Sequence, residues 1–87
     1  MSNQQVSEGQ ILKDLVQYVS EALVDRPEEV RVSVVEGESS IILELRVAAE
    51  DVGKVIGKGG QTAKALRKIL SAAATKLKKK SLLQIVE

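Results

Sequence analysis

The spacing of apolar residues changes period twice along this chain, and that limits the elements it can build. Ile11, Leu12, Leu15, Val16, Val19, Ala22 and Leu23 recur at helical intervals, laying one apolar stripe along about four turns. Pro27 ends that helix, because the residue before a proline is pushed out of the α region. From Val30 the period falls to two. Val30, Val32 and Val34 alternate with Arg31 and Ser33; Ile41, Leu43, Leu45 and Val47 alternate with Ile42, Glu44 and Arg46. Such alternation predicts two half-buried strands, and Glu36-Gly37-Glu38-Ser39-Ser40 is the hairpin-type connection between them. After Gly60 the helical period returns on Ala63, Leu66, Leu70, Ala73 and Leu77, and Leu82, Leu83, Ile85 and Val86 predict a last short strand.

Two smaller signals complete the order. Ser7 with Gln10 three residues on fits a capping box at the first helix, leaving residues 1–6 as a flexible polar tail ahead of a domain over 7–87. Glu50 and Asp51 open a very short helix, their charges suited to its N-terminal dipole. Val52, Val55 and Ile56 give it an apolar side, and Gly57 stands where helices commonly end in a left-handed residue. The expected fold class is α+β with order αββααβ. No internal repeat or interdomain linker is visible.

Composition narrows the chemistry. At 87 residues and 44% apolar content, one small core is adequate. The chain has no cysteine and no histidine, which removes disulfides, thiolate zinc sites, cysteine nucleophiles and Ser-His-Asp catalysis. The acidic pairs Glu28-Glu29 and Glu50-Asp51 are sequence neighbours whose side chains point apart. No catalytic residue, metal ligand or cofactor is therefore expected, and an enzyme is the weakest reading. No apolar run approaches the roughly 20 residues of a membrane span, and Met1-Ser2-Asn3-Gln4-Gln5 lacks the regions of a secretory signal. A cytoplasmic protein with no membrane partner is expected.

Charge is divided along the chain. Residues 1–51 hold 11 acids against 4 bases, a net −7, while residues 52–87 hold 9 bases against Glu87 alone, a net +8. A charge run is often only a solvated helix face. Here it encloses Gly57-Lys58-Gly59-Gly60, three glycines in four residues with a lysine at the tip. A Walker loop needs four residues between its glycine and Gly-Lys-Ser/Thr, and from Gly53 the spacing is one short. A dinucleotide fingerprint needs a third glycine where Thr62 stands and a buried strand before it. The helix-Gly-x-x-Gly-helix arrangement survives. Its glycines allow close backbone approach, and N–H groups near Gln61 and Thr62 face an anion at a helix start. Lys54, Lys64 and Arg67 lie one turn to either side. The structural alternative is a tight helix corner that needs small residues; the apolar lead-in, the lysines and the element order weigh against it.

Val55-Ile56-Gly57-Lys58-Gly59-Gly60 resembles the signature of KH RNA-binding domains, and the element order matches their type II, bacterial arrangement. The stretch Asp51-Val52-Gly53-Lys54-Val55-Ile56-Gly57-Lys58-Gly59-Gly60-Gln61-Thr62-Ala63-Lys64-Ala65-Leu66-Arg67 is most similar to the single-domain KhpA family. The resemblance spans residues 7–87. It implies a three-stranded mixed sheet with three helices packed on one face, and single-stranded RNA in a groove beside a loop that clamps about four nucleotides. It implies an RNA chaperone or post-transcriptional regulator, paired with itself or with a larger KH protein, KhpB (Jag/EloR). By the same resemblance, Gly57, Lys58, Gly59 and Gly60 contact the sugar-phosphate backbone. Val55 and Ile56 floor the groove, one of them instead entering the core, while Lys54, Gln61, Thr62, Lys64 and Arg67 give support.

Two features qualify that picture. Tyr18 is the single aromatic residue and falls in the first helix, so base stacking worth about 1–3 kcal/mol per base is not supplied at the groove. Weak, salt-sensitive and sequence-tolerant binding is expected. A second stripe on the long helix, Ala65, Ile69 and Ala72, is either buried under the first helix or a dimer interface. The competing functional class is an adaptor whose main task is dimerisation, with RNA binding secondary.

Overall fold

The computed structural model of the chain describes residues 7–86; the expected tail over 1–6 and Glu87 lie outside them. Ser7 opens α1 (Glu8–Leu23) by accepting the Gln10 N–H at 3.1 Å. Only half of a capping box forms, because the Gln10 side chain turns forward to Asp14. Val24 is already extended, and Pro27 starts a 3-10 turn over Pro27–Glu29 rather than interrupting the helix. Strands β1 (Arg31–Glu36) and β2 (Ser40–Arg46) form the antiparallel hairpin. A 3-10 turn, Ala49–Asp51, leads into α2 (Val52–Ile56); α3 (Gln61–Lys76) and β3 (Lys80–Val86) follow. β3 pairs parallel with β2, giving a mixed sheet in the order β1-β2-β3. The αββααβ order and the α+β class are as the sequence predicts.

Alternation decides which sheet face is covered. Val32, Ile41, Leu43, Leu45 and Leu83 are buried on one face, against Leu12 and Val16 of α1 and Leu66, Leu70 and Ala74 of α3. The central strand contributes most: Ile41, Leu43 and Leu45 are fully buried. Each such side chain is worth about 1.5–3 kcal/mol of transfer from water. The other face is open, and its register aligns Val35, Ile42 and Leu82 in one cross-strand row.

Two charged clasps tie distant segments together. Asp51 is 1% exposed and accepts the backbone N–H groups of Asp25 and Arg26 at 3.2 and 3.0 Å. Glu50 and Asp51 stand at the start of the short helix, where the sequence places them. Neither makes a side-chain cap on the short helix; Glu50 pairs with Arg26, and Asp51 turns inward to the segment after α1. The second clasp centres on Lys79, which is 2.9 Å from Glu36 and 3.2 Å from Glu8. Glu36 also accepts the Gly9 N–H at 3.1 Å, at a point where a Cβ on Gly9 would crowd the same carboxylate.

Candidate nucleic-acid interface

The loop between α2 and α3 is built from glycine backbone angles that other residues avoid. Gly57 ends α2 by donating its N–H to the Gly53 carbonyl at 2.8 Å. Its φ of 80° and ψ of 168° lie outside the left-handed helical cap expected, in a region essentially reserved for glycine. Space forbids a side chain there as well: a Cβ would press on the Thr62 hydroxyl and lie 2.8 Å from the Thr62 nitrogen. Gly59 (φ 63°, ψ 19°) and Gly60 (φ 76°, ψ 11°) are both left-handed. The Gly60 N–H closes the turn on the Gly57 carbonyl at 3.0 Å. Among the described residues, the N–H groups of Lys58 and Gly59 have no backbone acceptor, and they lie next to the positive end of α3.

The sequence-predicted residues divide by environment. Lys58, Gly59, Gln61 and Lys64 are exposed around the loop and the first turns of α3, with Thr62 half-buried against Gly57. Among the described residues, Lys58, Lys64 and Lys68 make no ion pair. Lys54 differs. Its ammonium lies 3.2 Å from Asp25 and 3.6 Å from Asp51, and the Asp25 hydrogen bond holds its pKa above the ordinary lysine value. Its charge is already answered within the fold. Of the apolar pair, Val55 is 1% exposed and belongs to the core, while Ile56 is half-buried at the loop.

Arg67 bridges two depressions on α3. The first, about 360 Å³, is lined by Gln61, Lys64, Ala65, Arg67 and Lys68. The second, about 230 Å³, lies between α3 and the edge strand β3, lined by Arg67, Leu70, Ser71, Ser81, Leu82 and Leu83. Arg67 Nε and Nη2 both donate to the Leu83 carbonyl, at 3.3 and 3.2 Å. Lys68, Ser71 and the β3 edge were not legible as site residues; Lys68 and Ser71 lie on α3 itself, and the parallel pairing of β3 with β2 sets Ser81, Leu82 and Leu83 beside them. The proposed dimer stripe is not covered by α1. Ile69 is 53% exposed, and Ala65 and Ala72 are exposed beside it.

The KhpA/KhpB KH-domain model matches residues 13–85. The chain belongs to the KhpA/KhpB KH-domain family. Its resemblance extends across whole proteins. It is 53% identical over 75 residues to "RNA-binding protein KhpA" of Clostridium perfringens, covering 86% of this chain and 100% of that one. Identity to the protein of the same name from Treponema pallidum is 52% over 75 residues, covering 86% and 94%. For that of Aquifex aeolicus it is 47% over 76 residues, covering 87% and 96%. No solved structure matches the chain. The family's KhpA/KhpB domain thus occupies nearly all of this polypeptide, with the Gly-x-x-Gly loop inside the matched region. Among the described residues no helix is long and apolar enough to cross a membrane, and no acidic cluster is placed to hold a metal ion.

Proposed function

We propose that this protein is a non-enzymatic, cytoplasmic RNA-binding module that grips the sugar-phosphate backbone of a single strand at Gly57–Gly60. The carrying observation is the run of three positive-φ glycines, which leaves the Lys58 and Gly59 N–H groups free beside unpaired lysines. Two backbone donors, the start of α3, and Lys58, Lys64 and Lys68 together suit phosphate oxygens. The relatives' shared name, RNA-binding protein KhpA, supports the same reading. With no aromatic side chain in the groove, affinity comes mainly from charge and falls steeply with salt. A role as RNA chaperone or post-transcriptional regulator follows, with Lys54 holding α2 in place rather than meeting RNA.

The test is Lys58→Asp with Gly59→Asp. Residue 59 has open space around it, and aspartate is among the residues that tolerate left-handed backbone, so the fold is retained. RNA retention in a gel-shift series is expected to drop at least tenfold. Unchanged affinity and salt slope would sink the loop assignment.

A second reading, a dimerisation adaptor, rests on exposed Ile69 flanked by Ala65 and Ala72. Small alanines permit close helix approach, and a second copy or the larger KhpB adds avidity to a weak site. Light scattering should report a dimer for the wild type and a monomer for Ile69→Glu. Monomers in both would remove the homodimer.

A further inference from the structure

Arg67 stands apart from the lysines around it. The guanidinium is a rigid fork with five N–H donors. In this fold its Nε side is pinned: Nε and Nη2 converge on the Leu83 carbonyl. The far end of the fork, one N–H on Nη1 and one on Nη2 in parallel, is left unengaged among the described residues. Among the described residues no carboxylate pairs with it. The fork also stands at the boundary of two depressions. Toward the loop lie Gln61, Lys64, Ala65 and Lys68; toward β3 lie Leu70, Ser71, Ser81, Leu82 and Leu83.

We propose that Arg67 is the base-reading residue of this groove, selecting guanine through its free N–H pair. Two parallel donors match the O6 and N7 acceptors on one guanine edge, while adenine offers a donor where O6 stands. A flexible lysine cannot present that geometry. The pin to Leu83 fixes the fork without help from the RNA, so little conformational freedom is lost on binding. The inference rests on the RNA-binding reading and adds specificity to it.

The test uses three short uridine-tract RNAs with one central substitution: guanine, adenine or 7-deazaguanine. Fluorescence anisotropy of the wild type is expected to show about tenfold tighter binding of the guanine strand than of the other two, at the lower end of what a bidentate pair contributes. Arg67→Gln should equalise the three strands while keeping the salt slope, and Arg67→Lys, which retains the charge without the fork, should do the same. Circular dichroism and urea midpoints establish that both variants are folded. Equal binding of all three strands by the wild type overturns the proposal. So does uniform weakening in Arg67→Gln with the log–log salt slope reduced by about 0.7, the mark of a lost phosphate contact. Retained guanine preference in both variants leaves Arg67 as a cap on the β3 edge and equally overturns it. Failure of the underlying reading looks different: the wild type binds none of the strands, or the Lys58→Asp, Gly59→Asp variant binds as the wild type does.

Discussion

Gly57 and Gly59 sit two residues apart at positive φ, but for different physical reasons. At Gly59 the constraint is conformational alone, since a Cβ there meets open space. At Gly57 the backbone angles and the Thr62 side chain both exclude anything larger. Gly59→Ala is expected to cost about 1 kcal/mol, and Gly57→Ala about 3 kcal/mol because strain and steric overlap add. Urea unfolding measures both; similar costs would show that Thr62 yields easily and that only φ matters. This difference was not legible in the sequence, where both positions are simply glycine. Nor were the partners of Asp51 and Arg67. Asp51 bonds to backbone N–H groups 25 and 26 residues away, and Arg67 to a carbonyl 16 residues away. Backbone donors and acceptors have no residue signature.

Elements were read more securely than partners because periodicity is local. Helix α1, both alternating strands and α3 all form where the spacing places them. Ile11, Ala22 and Leu23 of the α1 stripe are nonetheless exposed, and Ala74 rather than Ala73 is the buried alanine near the end of α3. The end of α3 was harder to see. The Lys79 N–H bonds the Ala74 carbonyl at 2.8 Å and the Lys78 N–H that of Thr75 at 2.9 Å, with Lys78 at φ 62°. That is a Schellman ending with lysine where glycine is preferred, so the usual stop signal is missing. Lys78→Gly should stabilise the domain by about 0.5–1 kcal/mol, as relief of left-handed strain outweighs the added freedom of the unfolded chain. The urea midpoint reads this directly; a fall in midpoint would mean the lysine side chain has a stabilising contact.

For the whole molecule, charge holds the layers in register. The Lys79 ammonium, hydrogen-bonded to Glu36, holds that carboxyl below the ordinary glutamate value, with burial opposing and the Gly9 N–H assisting. Burial would raise the Asp51 carboxyl, but the Asp25 and Arg26 N–H donors and Lys54 outweigh it and the net is downward. Depressed carboxylates contribute stability that is complete above their unfolded values, 4.5 for Glu and 3.8 for Asp. It is lost as pH falls through the folded values, because the unfolded chain takes up protons first. The urea midpoint should therefore be level near neutrality and fall below about pH 4. Glu36→Gln should have a lower plateau and a shallower acid limb, with Tm down by roughly 5 °C at pH 7. An acid limb identical to the wild type would take Glu36 out of the linkage.

The position of β3 has a consequence for how the groove comes into being. The wall facing α3 across the second depression belongs to β3, which follows the loop and α3 in the chain and forms an edge of the sheet. A ribosome releases the loop, its lysines and Arg67 before that wall exists. Until β3 docks beside β2, Arg67 has no carbonyl to hold and the second depression has only one side. The surface we assign to a single strand of RNA is thus assembled only once β3 has emerged and docked, after the hairpin and α1 are already available to pack.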